Sequence, residues 1–379
     1  MTKILFVVNS LDFFISHRLP IAKAAQKAGF DVHVATSENP NAYELTKHNL
    51  NHHIISLNSC GYDPIKNLKV FFQLVFLYLN IKPMIVHLVT IRPILFGGLA
   101  ARFFPRLTVI FAISGLGTVF ISKDIFSSIL RQFVKVGYYL CFRKRKCVVI
   151  LQNNDDEEYF YRFRLVQKDK VRIIHGSGVD LDLFPFTDEP RGICCVSMAC
   201  RLLKEKGINE FIEAAKILHD RNVLVNMNLY GSVDHGNPSS LTMLEMSQIK
   251  DSAHVNFLGY SESISEVYIA SHIVCLPSYR EGLPKSLIEG AACGRAIVTT
   301  DVPGCRKAII PNVSGLLVPK QDPMSLANAI QFLVENPSIR MKMGQRGRAY
   351  CKSNFGINRI VDAHLEIYKE LISKRSEVQ

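Results

Sequence analysis

"SHIVCLPSYREGLPKSLIEGAACGRAIVTTD" occupies residues 271–301. Its two ends, "SHIVCLPS" (271–278) and "RAIVTTD" (295–301), are short apolar runs that read as buried strands. Between them, "PKSLIEGAAC" (284–293) carries a helical pattern, with Pro284 at the first helical position, where its missing N–H does no harm. A strand, a helix and a second strand in this order form a crossover unit, and such units build parallel sheets covered by helices. The stretch therefore predicts an α/β chain.

The same rhythm extends in both directions. Towards the N-terminus lie "ICCVSMAC" (193–200), the helical "NEFIEAAKILHDR" (209–221), "VNMNLYG" (225–231) and "HVNFLG" (254–259). An earlier series contains "KILFVV" (3–8), the helical "RLPIAKAAQKAG" (18–29), "DVHVAT" (31–36), "MIVHLV" (84–89), "TVIFAIS" (108–114), "CVVILQN" (147–153) and "VRIIHG" (171–176). The joint is expected in "LFPFTDEPRG" (183–192), rich in Pro and turn formers. Helical patterns near 324–335, 337–349 and 357–375 end the chain. A length of 379 residues accommodates two such domains, each with its own core. In a pair of this kind ligands are expected at the carboxyl ends of the strands.

Composition narrows the class. Apolar residues make up 48% and charged residues 21%, the balance of a folded protein with a substantial core. The 10 cysteines include no CxxC pair, and several sit in apolar runs, so a reduced, cytoplasmic setting is expected. The opening "MTKILFVVNSLDFF" lacks the pattern of a signal peptide, and "VFFQLVFLYLNI" (70–81) falls short of the ~20 residues that span a bilayer. The net charge of +12 is uneven: residues 1–180 hold 23 Lys and Arg against 12 Asp and Glu, or +11. Much of this excess lies near "FRKRK" (142–146), after the aromatic-rich helical pattern "IFSSILRQFVKVGYYL" (125–140). Two readings stand: a solvated basic face, or a surface that meets anionic lipid headgroups or phosphorylated partners. No nucleic-acid motif accompanies the charge, so a nucleic-acid partner is not expected.

The candidate chemistry follows predicted strands. In "SYREGLPKSLIEG" (278–290), Glu281 precedes a helix start and Glu289 lies about five residues into that helix. The helix start aims unpaired N–H groups and a partial positive charge at whatever precedes it, which suits a phosphate. Glu289, roughly 8 Å along the axis at ~1.5 Å per residue, is placed to accept hydrogen bonds from a sugar diol. Gly282 lets backbone approach a ligand closely. In "ACRLLKEKGINEF" (199–211), Arg201 and Lys206 occupy one loop after a strand. Together they can clamp a diphosphate, Arg through its planar fork and Lys as a point charge. The bland alternatives are solvent-facing acids and a solubilising loop. "DLD" at Asp180–Asp182 has the spacing of a metal-binding motif but sits at the expected joint, and His52, His53 and His175 lack partners at ligand spacing, so no metal is expected.

In order, "GVDLDLF" (178–184), "RLLKEKG" (201–207) and "LPSYREGLPKSLIEGAACGRAIVTTDVPGC" (276–305) resemble the retaining glycosyltransferases of family 4, over most of the chain and most strongly over 171–320. "GLPKSLIE" and "AISGLGTVF" (112–120) look most like the branch that extends lipid-linked oligosaccharides for bacterial capsule, O-antigen or N-glycan assembly. The resemblance implies the GT-B fold, two Rossmann-like doubly wound domains facing a cleft. An acceptor-binding domain would span 1–185 and a nucleotide-sugar domain 186–356, with a helix over 357–379 returning to the first domain.

The resemblance also implies roles. Arg201, Lys206 and Glu281 would be catalytic, the cations on the diphosphate and Glu281 on the transferred sugar. Gly231, Ser232, Tyr260, Gly282, Leu283, Ser286 and Glu289 would bind a donor, expected to be UDP-linked in this branch of the family. Asn9, Ser10, His17, Arg18, Ser114 and Gly115 would meet a polyprenyl-diphosphate-linked glycan acceptor. No cofactor or metal is implied, and the enzyme would sit peripherally on the inner, anionic face of the cytoplasmic membrane. Pro284 departs from the glycine many relatives carry and offers no N–H at that point. A UDP-sugar epimerase of the same architecture and a non-enzymatic nucleotide-binding scaffold remain open. A dinucleotide-dependent oxidoreductase would call for G-x-G-x-x-G after the first strand, where "VVNSLDFFISH" has no glycine.

Overall fold

Apolar runs at 3–8 and 84–89 pair with each other at the centre of the first sheet. The computed structural model describes residues 1–57, 63–116, 125–234, 237, 239–250 and 254–376. The chain folds as two units, Met1–Ser177 with Asn358–Gln379, and Gly178–Ile357.

Unit 1 contains β1 (Thr2–Val8), α1 (Leu11–His17), α2 (Leu19–Lys27), β2 (Phe30–Thr36), α3 (Tyr43–Lys47), β3 (Asn51–Ile54), α4 (Pro64–Ile81), β4 (Ile85–Val89), α5 (Ile91–Ala101), β5 (Thr108–Ala112), α6 (Ile125–Phe142), β6 (Cys147–Leu151), α7 (Asn154–Arg162) and β7 (Val171–Ile173). The strands are parallel in the order β3-β2-β1-β4-β5-β6-β7. β4, β5 and β6 are buried along their whole length, which is why they read as unbroken apolar runs. Core residues of α4, α5, α6 and α7 cover one sheet face, and those of α1, α2, α3 and the C-terminal helix (Ile357–Ser376) cover the other. α5 is seated deeply because of its glycines: a Cβ at Gly98 would stand 2.6 Å from Cys141 Sγ of α6, and one at Gly97 would stand 2.9 Å from the Tyr78 hydroxyl of α4.

Unit 2 contains β8 (Cys194–Ala199), α8 (Ile208–Asp220), β9 (Val225–Tyr230), α9 (Met243–Lys250), β10 (Asn256–Gly259), α10 (Ile264–Ile269), β11 (Ile273–Leu276), α11 (Lys285–Ala292), β12 (Ala296–Thr300), α12 (Cys305–Ala308), β13 (Gly315–Val318), α13 (Pro323–Glu335) and α14 (Pro337–Phe355). Its parallel sheet runs β10-β9-β8-β11-β12-β13 around one core.

Two sequence expectations shift. The division falls at Ser177/Gly178 rather than 185/186, because the Pro-rich stretch is strapped onto unit 2. Arg340 pairs with Glu189 at 2.7 Å, Arg295 donates to the Thr187 carbonyl at 2.6 Å, and Arg348 donates to the Phe184 carbonyl at 2.7 Å. Val179 bridges to Gly356, so the segments entering and leaving the unit run side by side. Pro284 is the residue before the first turn of α11 rather than its first helical residue, with an extended ψ of 120°. The ring still fixes φ at −71° for entry into the helix.

The C-terminal helix brings a buried polar cluster into unit 1. Its Tyr368 hydroxyl lies 2.7 Å from His87 Nδ1 on β4, and the His87 ring stacks on His364 with centroids 5.7 Å apart. Burial holds both imidazoles below their ordinary range, helped by His364 and Arg18 at His87 and by Arg18 at His364, which lies at about 3. Unfolded histidine titrates near pH 6.5, so below that value the unfolded chain takes up protons that the folded unit refuses. The stability from these neutral rings is complete above pH 6.5 and drains as pH falls from there towards 3. The melting midpoint is therefore expected to drop between pH 7.5 and pH 5, and His364→Phe, which keeps a stacked ring, should shrink that drop. An undiminished drop in the variant would show that other groups cause it.

Candidate functional site

In unit 2 the chain leaves β8 for its neighbour β9 on one side and later returns to the other side as β11. Connections that diverge in this way open a crevice at the carboxyl ends of the two strands. The two loops are Cys200–Gly207 and Pro277–Pro284. Gly207, at φ 78°, permits their close approach, since a Cβ there would lie 2.1 Å from the Pro277 carbonyl oxygen. The Glu205 carbonyl accepts from Tyr279 N at 2.8 Å, and Ser278 Oγ lies 3.0 Å from it. From behind, Gly304 (φ 82°) supports the Glu281–Gly282 turn, whose carbonyl oxygens would stand about 2.5 Å from any Cβ it carried.

Here Lys206 and Glu281 meet. Lys206 Nζ donates to Glu281 Oε1 at 2.5 Å, and Ser278 Oγ donates to the same oxygen at 2.7 Å. Burial pulls the Lys206 ammonium down, but the adjoining carboxylate outweighs it and leaves the group above its ordinary range, hence charged. Arg201 stands apart from this pair. Its Nη1 donates to Asp234 Oδ2 at 2.9 Å, a residue that sequence reasoning missed. The sequence signal for Asp234 is its place just after β9, the strand beside β8. Each of the two cations expected to clamp a diphosphate is thus held by a carboxylate.

α11 begins beyond the Glu281 turn. Pro284, the residue before the helix, makes no side-chain cap, so the first-turn amides of Lys285, Ser286 and Leu287 receive no hydrogen bond from it. Glu289 lies almost completely buried, and Lys285 Nζ, one turn earlier, donates to its Oε1 at 2.9 Å. Burial pushes the Glu289 carboxyl up and Lys285 pulls against it. Lys285 was also missed, although its i, i+4 spacing from Glu289 signals the pair. Leu283 is buried beside the turn. Gly231 N donates to the Gly259 carbonyl at 2.8 Å and Leu202 N to the Ser232 carbonyl at 3.1 Å, so Gly231, Ser232 and Tyr260 gather at the ends of β9 and β10. Tyr260 is 73% exposed.

In unit 1 the switch lies between β1 and β4. Val8 and Val89 are register partners, so Asn9 and Thr90 emerge side by side, and Asn9 Oδ1 and Thr90 Oγ1 are both buried without a partner among the described residues. Thr90 adopts φ 73°, a strained conformation for a β-branched residue of the kind that gathers at functional sites. Nothing in the sequence marked it. Arg18 is buried, with Nη2 3.4 Å from Ser114 Oγ and Nη1 3.5 Å from Ser177 Oγ. Among the described residues no carboxylate pairs with it. Burial lowers its pKa to about 10, which leaves it charged at neutral pH. Ser10 caps α1 by accepting from Phe13 N at 3.2 Å, and the His17 ring stacks on Phe13 at 4.0 Å. Of the six acceptor candidates, the structure joins Arg18 to Ser114; Gly115 follows with φ 120°, and residues 117–120 of "AISGLGTVF" lie outside the described residues.

The possible metal ligands are otherwise engaged. Asp180 Oδ1 accepts from the amides of Asp182 and Leu183, closing a turn, and His52, His53 and His175 bond to Thr36, His33 and the Gln152 carbonyl. Among the described residues no group of three or more His, Cys, Asp or Glu is arranged to hold a metal ion.

Residues 3–153 match the family described as Glycosyl transferase 4-like, and residues 189–350 match Glycosyl transferases group 1. The chain is 27% identical over 381 residues to the N,N'-diacetylbacillosaminyl-diphospho-undecaprenol alpha-1,3-N-acetylgalactosaminyltransferase of Campylobacter jejuni, covering 95% of this chain and 98% of that protein. Sucrose-phosphate synthase from Thermosynechococcus elongatus is similar in structure, with TM-score 0.83 and 20% identity over 99% of this chain and 100% of the other. Anabaena HepE in complex with UDP-glucose gives TM-score 0.76 and 16% identity, over 98% and 100%. The architecture is GT-B, as the motifs led one to expect.

The Arg201–Asp234 pair yields a direct test. An exposed pair of this kind contributes ~0.2–1 kcal/mol, which an arriving anion must displace. Asp234→Asn should therefore tighten inorganic pyrophosphate binding by up to about fivefold in calorimetry. Weaker binding would instead mean that Asp234 holds Arg201 in its productive position.

Proposed function

The chain belongs to the glycosyltransferases of group 1, family 4 type, and on that premise we propose that it moves a hexose or N-acetylhexosamine from a UDP-sugar to a polyprenyl-diphosphate-linked glycan, with retention of anomeric configuration. The observation that carries the donor half is the meeting of Lys206, Glu281 and the uncapped start of α11 at one strand switch. HepE, of the same fold, was crystallised with UDP-glucose, which supports a UDP-linked donor. The Campylobacter relative's name specifies a diphospho-undecaprenol acceptor, which supports the lipid-linked glycan.

In transfer, the bond from the sugar's anomeric carbon to the β-phosphate oxygen breaks and a bond from the acceptor hydroxyl oxygen forms on the same face. The hydroxyl proton passes to the departing phosphate. Negative charge grows on UDP as the bond breaks, and groups fixed around that charge lower the barrier. Lys206 is the buried cation for this task, Arg201 a mobile second one once it leaves Asp234, and the first amides of α11 add their partial positive charge. Glu281, already oriented by Lys206 and Ser278, accepts from sugar hydroxyls, and the buried Glu289 accepts from the ribose diol.

The acceptor half rests on Arg18. A buried guanidinium without a carboxylate is costly, and an acceptor phosphate supplies the missing charge. Asn9 and Thr90 bring further unsatisfied oxygens to the same end of the unit 1 sheet.

Two substitutions test the two halves. Lys206→Ala should reduce turnover at least tenfold, ~1.4 kcal/mol of barrier, in a coupled assay of UDP release; turnover near the parent's would remove Lys206 from the phosphate site. Arg18→Met, similar in volume, should raise the acceptor KM at least about tenfold while leaving the donor KM alone and the melting temperature no lower. A shift in donor KM alone would reassign Arg18.

A further inference from the structure

We propose that the outer surface of α4 and α6 is a docking face for an anionic phospholipid bilayer, on which this chain lies without crossing it. α4 is apolar on two opposite sides. Val70, Leu74, Tyr78 and Ile81 face the core, while Ile65, Leu68, Phe72, Phe76 and Leu79 form a second stripe at spacings of three and four, exposed to solvent. α6 repeats the arrangement. Val134, Tyr138, Cys141 and Phe142 are buried, and Ile129, Phe133, Val136 and Tyr139 are exposed. Phe76 and Phe133, at 65% and 71% exposure, show how little of either stripe is covered. A helix apolar all round normally has all its sides buried. These two pack on the same sheet face, either side of α5, and each runs about 27 Å at 1.5 Å per residue.

Charge names the occupant. Residues 64–154 hold thirteen Lys and Arg against one Asp, a balance of +12 that equals the net charge of the whole chain. The rest of the protein is neutral. Lys66 and Lys69 are exposed on α4, Lys135 lies 3.6 Å above the Phe163 ring, and Arg143 sits 4.5 Å above Tyr139. Cations flanking exposed aromatic and aliphatic stripes match an interfacial helix on negatively charged headgroups. A second copy is a poor occupant, because two such faces would bring like charges together. Within "FRKRK", Lys144 takes no part: it is buried and donates to the Ala101 and Phe104 carbonyls at 3.0 and 2.9 Å. The outward cations are Arg143, Arg145 and Lys146. No helix among the described residues is long and apolar enough to cross a membrane, so the face meets the headgroup layer from one side. The choice of a bilayer over a protein partner rests in part on the lipid-linked acceptor proposed above.

The test is co-sedimentation of the full chain with phosphatidylglycerol-containing vesicles and with pure phosphatidylcholine vesicles. Binding to the anionic vesicles should be at least about tenfold stronger and should weaken with salt. The combined Phe72→Gln, Phe76→Gln, Phe133→Gln variant should lose at least about tenfold on anionic vesicles, and Arg143→Gln with Arg145→Gln should lose binding there alone. Both variants should keep the parent's melting temperature and its transfer to a water-soluble acceptor. Equal binding to the two lipids, binding indifferent to both variants, or a parent dimer that these substitutions dissolve would overturn the docking face. Absence of transfer to the soluble acceptor in the parent would count against the proposed reaction and leave the sedimentation result to judge the face.

Discussion

One contact, from Lys206 to Glu281, holds the unit 2 site together. It joins the loops that leave β8 and β11 just where the sheet's strand order reverses, and it uses a carboxylate that Ser278 already orients. Without an opposite charge, burial would strip Lys206 of its proton preference. With Glu281 beside it the ammonium stays charged inside a mostly closed pocket. The close packing of Gly207 on Pro277 and of Gly304 on the Glu281 turn then fixes both backbones, so the pair is presented rigidly. Positioned charge of this kind acts on a developing anion with little reorganisation.

The two units handle buried charge differently. In unit 2 Lys206, Lys285 and Arg340 each pair with a carboxylate, that of Glu281, Glu289 and Glu189, while the buried Arg295 donates to the Thr187 and Asp188 carbonyls. In unit 1 Arg18 touches only hydroxyls and a carbonyl, at 3.3 Å or more, while neighbouring histidines stay neutral. The first arrangement neutralises most of its buried cations within the unit; the second leaves the Arg18 charge without a carboxylate among the described residues. The excess positive charge of unit 1 is concentrated within residues 64–154, where Lys66, Lys69, Arg143 and Arg145 are exposed.

Much of the fold was legible because fully buried parallel strands leave an unmistakable trace. "CVVIL" and "AIVTT" could be read directly, since both faces of each strand must be apolar. β3 ("NHHI"), a partly exposed edge strand, left no such trace, and neither did the short β13. Glu281, Glu289 and Lys206 were visible as residues after strands, but the pairing of Lys206 with Glu281 was not, nor were Asp234 and Lys285. Which acid meets which cation depends on strand order, and Asp234 reaches Arg201 only because β9 lies beside β8. Thr90 was invisible for another reason: its signal is a backbone angle, which no residue pattern encodes. The Pro-rich stretch at 183–192 looked like a linker because its composition is that of a turn, whereas distant arginines at 295, 340 and 348 hold it to unit 2.

The position of the diphosphate decides the roles proposed for Lys206 and Glu289. A crystal structure of the chain with UDP answers this most directly. The β-phosphate is expected within hydrogen-bonding distance of Lys206 Nζ and of the first amides of α11, with the ribose hydroxyls on Glu289. A nucleotide bound elsewhere, with Lys206 still closed on Glu281 and Glu289 untouched, would contradict those roles.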